Sequence, residues 1–340
     1  MKILVCPDSF KGTLTAPEAA AAMARGLRSA FPGAEIIMLP VGDGGEGTVR
    51  AIVGSPAFSG RVAEVECKVY DPLHRLIKAT YHIAGSTALI ESAAASGLTL
   101  LAPGERDVLK ADSYGTGQLI VDALSRGATE FIVCMGGTAT CDGGYGAFRA
   151  MREHDFSAAR FTLLCDVDNP LLGPRGAAPV FGPQKGAGPD SLPLLEDRLE
   201  RVAREYRETY GRDIGSEPFA GAAGGLAGML MACYGATPVR GIERVLALLD
   251  FSRLAAGASL VVTGEGRADA TTLSGKAAKG VLDASRLLGL PVVLVAGRVA
   301  DRETLLEAGF AQVVQATPDG VDPSGRAAAL LERASASLSL

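Results

Sequence analysis

Tryptophan is absent from this 340-residue chain, aromatic residues make up only 5% of it, and histidine occurs three times. None of the three, His74, His82 and His154, stands at zinc spacing from a cysteine, and no CxxC pair occurs, which excludes a His/Cys metal centre. The six cysteines (Cys6, Cys67, Cys134, Cys141, Cys165 and Cys233) are scattered. Cys6, Cys134 and Cys165 lie inside apolar runs, where cysteine behaves as a small hydrophobe. A reduced, cytoplasmic protein is the expectation. There is no surplus of positive charge either. At a net −5, no electrostatic case exists for nucleic acid or an anionic membrane as partner. The N-terminus runs straight from Lys2 through Cys6 to Asp8, too short for a signal-peptide core. The uncharged stretch 219–239 is too rich in glycine and alanine for a membrane span and reads as one buried, closely packed helix closed by Pro238. Also missing are GxxxxGK[ST], the HRD and DFG motifs, and a GxGxxG after the first strand. P-loop, protein-kinase and Rossmann dinucleotide chemistry lose their support with them.

Glycine is what the chain has in quantity, 43 residues. Five of them fall between Gly136 and Gly146, after the apolar run 131–134 that reads as a buried parallel strand. Such a loop turns its N–H groups inward and suits phosphate, with Thr138 and Thr140 as further donors and Asp142 as a carboxylate for a metal or a proton. The segment Asp43-Gly-Gly-Glu-Gly47 echoes its Asp-Gly-Gly-x-Gly pattern, again after an apolar run.

Taken in order, the chain predicts an α/β fold. Strands at 2–6 and 35–40 flank a helix from Thr15, an N-cap with Glu18 at the capping-box position, to about Ala30. Residues 61–70 and 76–82 alternate like half-exposed strands, 87–91, 131–134 and 161–165 are apolar strands, and 191–210 is an amphipathic helix. Plain strands return at 259–263, 291–296 and 312–315. The reading is two α/β domains. One is a doubly wound parallel sheet built from both chain ends, residues 1–60 plus 246–340, and the other is a mixed α/β domain inserted at 61–245. Asp8, Asp43, Asp142, Asp166 and Glu265 each lie just past the C-terminal end of an apolar strand, the edge where open parallel sheets bind ligands. A cleft between two such edges is the expected active site.

Glycine loops, strand-end carboxylates and the loop lysines Lys11, Lys185 and Lys276 are the parts phosphoryl transfer needs. The motifs Pro7-Asp-Ser-Phe-Lys-Gly12, Asp43-Gly-Gly-Glu-Gly-Thr48, Ser113-Tyr-Gly-Thr-Gly117 and Gly136-Gly-Thr-Ala-Thr-Cys-Asp-Gly-Gly144 resemble the bacterial glycerate kinase family, type 1. So do Cys165-Asp-Val-Asp-Asn-Pro-Leu171, Phe181-Gly-Pro-Gln-Lys-Gly186, Gly221-Ala-Ala-Gly-Gly225 and Thr263-Gly-Glu-Gly-Arg267 with Asp269 and Gly275-Lys276. The resemblance spans nearly the whole chain in order. It implies a flavodoxin-like domain paired with a second α/β domain, and ATP-dependent, Mg²⁺-assisted phosphorylation of D-glycerate, at the 2-hydroxyl in most of that family. Within that reading Asp8, Lys11, Asp43, Asp142, Asp166 and Arg267 are the catalytic candidates, with Asp166 and Asp142 the candidate metal ligands. Gly136, Gly137, Thr138, Gly143, Gly144, Lys185, Gly264, Glu265 and Gly266 are the candidates for holding ATP. The chain departs from the family at Cys141, where Asn is usual, at Thr271, where Gln is common, and at 151–161, where a few tens of residues are missing.

Two other readings compete. Asp166-x-Asp168 after an apolar strand superficially matches the aspartyl-phosphate nucleophile of a phosphohydrolase, although Asn169-Pro170 replaces the expected Thr or small residue. A non-catalytic sensor that closes on a hydroxyacid would gain nothing from so many carboxylates without a metal. Homo-oligomerisation stays open on the sequence.

Overall fold

The computed structural model describes residues 1–55, 58 and 60–339. Its strands are β1 (Lys2–Pro7), β2 (Glu35–Met38), β3 (Ala63–Tyr70), β4 (Leu76–Ala84), β5 (Thr87–Glu91), β6 (Glu130–Cys134), β7 (Arg160–Cys165), β8 (Thr237–Arg240), β9 (Leu260–Ala268), β10 (Val292–Val299) and β11 (Gln312–Gln315). They form two sheets, and the chain divides into two compact units around them.

The first unit comprises Met1–Asp43, Arg50–Ser59 and Ile242–Leu340. Its sheet is wholly parallel in the order β11-β10-β9-β1-β2. Counting only this unit's strands in chain order gives 2-1-3-4-5, the flavodoxin-like doubly wound arrangement. Ile3, Leu4, Val5 and Cys6 of β1 are fully buried, because a central parallel strand is covered on both faces and must be apolar throughout. The helix Ala16–Ala30 starts at Thr15, whose side chain accepts from the Glu18 N–H while the Glu18 carboxylate accepts from the Thr15 N–H. In a sheet of this order the strand connections reverse direction between β1 and β9, and ligands bind beyond the strand ends at that switch point.

The second unit comprises Gly44–Val49 and Gly60–Gly241. Its six strands run in the order β3 to β8, antiparallel from β3 to β5 and parallel from β5 to β8. Phe131 and Phe161, partners across β6 and β7, stack at 4.7 Å between ring centres. The helix Ser191–Tyr210 buries Leu195, Leu199, Val202, Ala203 and Tyr206, a single stripe at helical spacing that packs against the helix Leu226–Tyr234.

Two expectations are corrected. Residues 219–239 are not one helix. Positive φ at Phe219 (70°), Ala223 (53°), Gly224 (65°) and Gly225 (97°) makes a turn, because a right-handed helix needs φ near −60°. The helix that follows is only Leu226–Tyr234, ended by Gly235 in the left-handed region, and Pro238 sits in the edge strand β8. The unit boundaries also differ from 60/61 and 245/246. Gly44–Val49 belongs to the second unit because its backbone is hydrogen-bonded there, Gly136 N–H donating to Gly44 C=O (2.9 Å) and Gly47 and Val49 N–H to Glu91 Oε1 (3.0 and 2.9 Å).

Candidate active site

The candidate residues fall into two groups, one at the carboxyl edge of each sheet. In the second unit, the two glycine loops that echo one another in sequence lie backbone to backbone. A Cβ on Gly136 would stand 2.5 Å from Gly45 Cα, so neither chain can give way. Gly136→Ala is accordingly expected to destabilise this unit by about 1–3 kcal/mol through overpacking, measured by urea unfolding. An unchanged midpoint would show that the two loops can separate.

The loop after β6 has an open part and a closed part. Gly136 is half-buried, Gly137 exposed and Thr138 almost buried. Gly143 and Gly144 instead point into the protein, where their missing Cβ atoms would lie 2.8 Å from Val202 Cγ1 and 2.6 Å from Met229 Cβ. These two glycines permit close packing, so the accessible cradle is 136–138. Beneath it lies Lys185, buried in the 3₁₀ turn Pro183–Lys185, with Nζ donating to Thr138 Oγ1 (3.2 Å) and Thr140 C=O (2.8 Å). Burial lowers its pKa, opposed by the charges of Cys141, Asp142 and Asp166. The Thr140 hydroxyl, fully buried, has no hydrogen-bond partner among the described residues. Asp166 is half-buried at the end of β7, while Asp168 is exposed and paired with Arg175 (3.1 Å) and Arg240 (3.8 Å).

Asp142 is committed to the loop itself. Its Oδ2 accepts from Ser113 N–H (3.0 Å), Ser113 Oγ (2.8 Å) and Gly146 N–H (2.9 Å), and its Oδ1 from Gly144 N–H (3.1 Å). Burial raises its carboxyl pKa, against the pull of the Gly146 N–H and of the Ser113 N–H and hydroxyl. Three of the four partners are backbone N–H groups, which can only donate and so favour the carboxylate. A bound cation or a mobile proton would have to displace these bonds. These four bonds give Asp142 an anchoring part in the loop, beside the expected one as metal ligand or acid–base group. Ser113, quoted in a motif but given no role, is its partner, and the Ser113 hydroxyl in turn accepts from Ala147 N–H (3.0 Å).

In the first unit, Asp8 and Glu265 stand on either side of the switch point, with Asp8 N–H donating to Gly264 C=O (2.8 Å). Burial raises the Asp8 carboxyl to about 8, helped by the charges of Asp43 and Glu265 and opposed by the Ser9 N–H and Lys11. The Glu265 carboxyl is also raised, by burial and by Asp269 and Asp43, against Thr272 and Lys276. Its Oε1 is buried with no hydrogen-bond partner among the described residues. Lys11 is exposed in the loop after β1. That loop packs against the Gly266 side of β9, Lys11 N lying 3.5 Å from where a Gly266 Cβ would be, so alternation along the strand sends Arg267 to the opposite face. Thr271 donates to Asp269 Oδ1 (2.6 Å) and accepts from Lys276 Nζ (2.8 Å), tying that lysine to the loop.

Among the described residues no group of three or more His, Cys, Asp or Glu side chains is arranged to hold a metal ion. Mg²⁺ needs less than such a cage, because it keeps several waters and takes one or two carboxylates plus substrate phosphates. The unpartnered Glu265 oxygen beside Asp43 is a hard donor of that kind, so the residues present fit the ion.

A family model described as the glycerate kinase family matches residues 3–154 and 152–338. The chain belongs to the glycerate kinase family. It is 39% identical to a glycerate kinase of Bacillus subtilis (strain 168), over 98% of this chain and 95% of that one. It is also 39% identical to a glycerate 2-kinase of Escherichia coli (strain K12), over 87% and 86%. A solved structure described as a glycerate kinase 2 from Salmonella typhimurium LT2 superposes with a TM-score of 0.82 at 36% identity, covering 99% of this chain and 96% of that one. The two matched segments overlap at 152–154, between the helix Tyr145–Met151 and β7. Cys141 is fully buried, and burial pushes its thiol up to about 11. It packs rather than presenting a side chain to ligand.

Proposed function

We propose that this chain transfers the γ-phosphoryl group of ATP to the 2-hydroxyl of D-glycerate, giving 2-phosphoglycerate and ADP. The observation that carries the reading is the pair of carboxylates at the switch point of the flavodoxin-like sheet, half-buried Asp8 and buried Glu265, with Asp8 raised to about 8 beside Asp43, Glu265 and Lys11. A carboxylate held there is basic enough to take the hydroxyl proton as the new O–P bond forms, and a base poised near the working pH is the most effective one. Mg²⁺, held by Asp43 and Glu265 when bound, would neutralise charge on the phosphates. In the other unit the 136–138 backbone, with the Lys185 charge beneath it, suits phosphate oxygens, and Asp166 lies within range of that charge.

Arg267 is proposed to take the carboxylate of the acceptor. Such a clamp fixes the adjacent C2 closely while C3 keeps an extra rotatable bond, so near-attack positioning is easier to enforce at the 2-hydroxyl. The name of the E. coli relative, a glycerate 2-kinase, leans the same way. All six cysteines are thiols outside any disulfide, as suits the reducing cytoplasm proposed as its place of action. No helix among the described residues is long and apolar enough to cross a membrane.

ADP release is expected only when D-glycerate, ATP and Mg²⁺ are all present. Coupled to enolase without phosphoglycerate mutase, the product is expected to give phosphoenolpyruvate at once. A signal that waits for added mutase would move the phosphate to the 3-hydroxyl. Turnover of glycerol faster than of glycerate would remove the carboxylate clamp.

A further inference from the structure

Some arginines in this chain have most of their donors consumed by protein. Arg75 reaches Asp71, Glu105 and the Leu100 carbonyl, and Arg212 reaches Glu217 and the Met231 carbonyl. Arg267 and Arg298 are different. They are register partners on the parallel strands β9 and β10, whose pairing continues through Val299 and Ala268. Both are exposed. Arg267 has Asp269 at 3.3 Å from its Nε, and Arg298 donates one Nη2–H to Val321 C=O at 3.0 Å. Each guanidinium has five N–H donors, so most of the fork on either side chain is uncommitted among the described contacts. Neighbouring strands lie about 4.8 Å apart, and like charges side by side on one face destabilise a sheet. A shared anion between them reverses the sign of that interaction.

We infer that Arg298 forms with Arg267 a two-armed clamp for the carboxylate of the acceptor, and that this pair sets the preference for a short 2-hydroxy acid over an uncharged alcohol. The inference rests on the kinase reading above. Arginine's planar fork matches a carboxylate's two oxygens, and two forks from adjacent strands fix both its position and its plane. Arg267 shares its face of β9 with Glu265, two residues and so roughly 6–7 Å back along the strand. A three-carbon acid held at the arginines therefore has buried Glu265 within its own length, while a longer chain would run into it. Phosphate offers the same anionic oxygens, so the experiment separates acceptor from nucleotide.

The test is steady-state kinetics of the wild type, Arg298→Gln and Arg298→Lys with D-glycerate and ATP varied in turn, beside calorimetric titration of D-glycerate without ATP. Arg298→Gln is expected to raise the KM for D-glycerate at least tenfold and weaken its binding to match, with the KM for ATP within twofold. Arg298→Lys, which keeps the charge but not the fork, is expected to recover only part of the loss. A glycerate KM and affinity within twofold of wild type in Arg298→Gln would overturn the clamp, as would a rise in the ATP KM alone. Failure of the wild type to phosphorylate glycerate would strike the kinase reading instead. The titration then still decides the clamp, by whether Arg298→Gln binds D-glycerate less tightly than wild type. A melting temperature unchanged in either variant confirms that binding and not folding is being read.

Discussion

Asp8→Asn is expected to lower kcat with D-glycerate by about 10²–10⁴-fold, the usual contribution of a positioned general base. The amide keeps the shape of the side chain and removes its proton-accepting charge. The Asp8 carboxyl is raised to about 8 by burial first, then by Asp43 and Glu265, against the Ser9 N–H and Lys11. The wild-type kcat/KM should therefore climb with pH as the base form appears, below about 8 because Mg²⁺ at Asp43 and Glu265 offsets the charges that help raise Asp8, and the variant should lose that limb. Stability moves the other way. An acid with a folded-state pKa above its unfolded value of about 3.9 binds more protons folded than unfolded between the two. Its contribution to stability is thus lost as pH rises from about 4 toward 8, and Asp8→Asn should flatten that part of the melting-temperature profile and leave the protein at least as stable at pH 8. Wild-type turnover and an unchanged pH profile in the variant would remove Asp8 from the chemistry.

Asp142→Ala should act on the fold before it acts on the rate. The substitution leaves the N–H groups of Ser113, Gly144 and Gly146 and the Ser113 hydroxyl without their acceptor in a fully buried place. Each such orphaned group costs about 1–3 kcal/mol, so a loss of at least about 3 kcal/mol is expected in denaturant unfolding. That is a large part of the roughly 5–15 kcal/mol that holds an ordinary domain together. Asp142→Asn should fall between, since its oxygen can still accept while its NH₂ faces donors. A near-normal unfolding midpoint with turnover abolished would return Asp142 to the role of acid–base group. Loss of stability together with activity supports the anchor.

Asp8 and Asp142 look alike in the sequence, each a carboxylate in a glycine-bearing loop that follows an apolar strand. Their surroundings separate them. Asp142 meets three backbone N–H donors and a hydroxyl, whereas Asp8 meets one N–H and other carboxylates. Those partners come from Ser113 in one case and from Asp43 and Glu265 in the other, far apart in the chain. No local pattern encodes such meetings. The same holds for Gly143 and Gly144, which read as a phosphate cradle until Val202 and Met229 are seen packed against them. The missed turn at 221–225 had a local signal in its glycines, outweighed by the absence of charge across 219–239.

The sequence by itself determined the elements and their order. Apolar runs bounded by glycine and proline gave the parallel strands, the Thr15–Glu18 box gave the start of the first helix, and the alternation of strand and helix at both chain ends gave the doubly wound sheet. These follow from periodicity and capping, which act over a few residues. Only the tertiary structure decided which carboxylates share a buried place, that Gly44–Val49 belongs with the loop after β6, and that Arg298 stands beside Arg267. Strand register and burial bring together residues tens to hundreds of positions apart, and a side chain's charge state and role are set by the neighbours it acquires there.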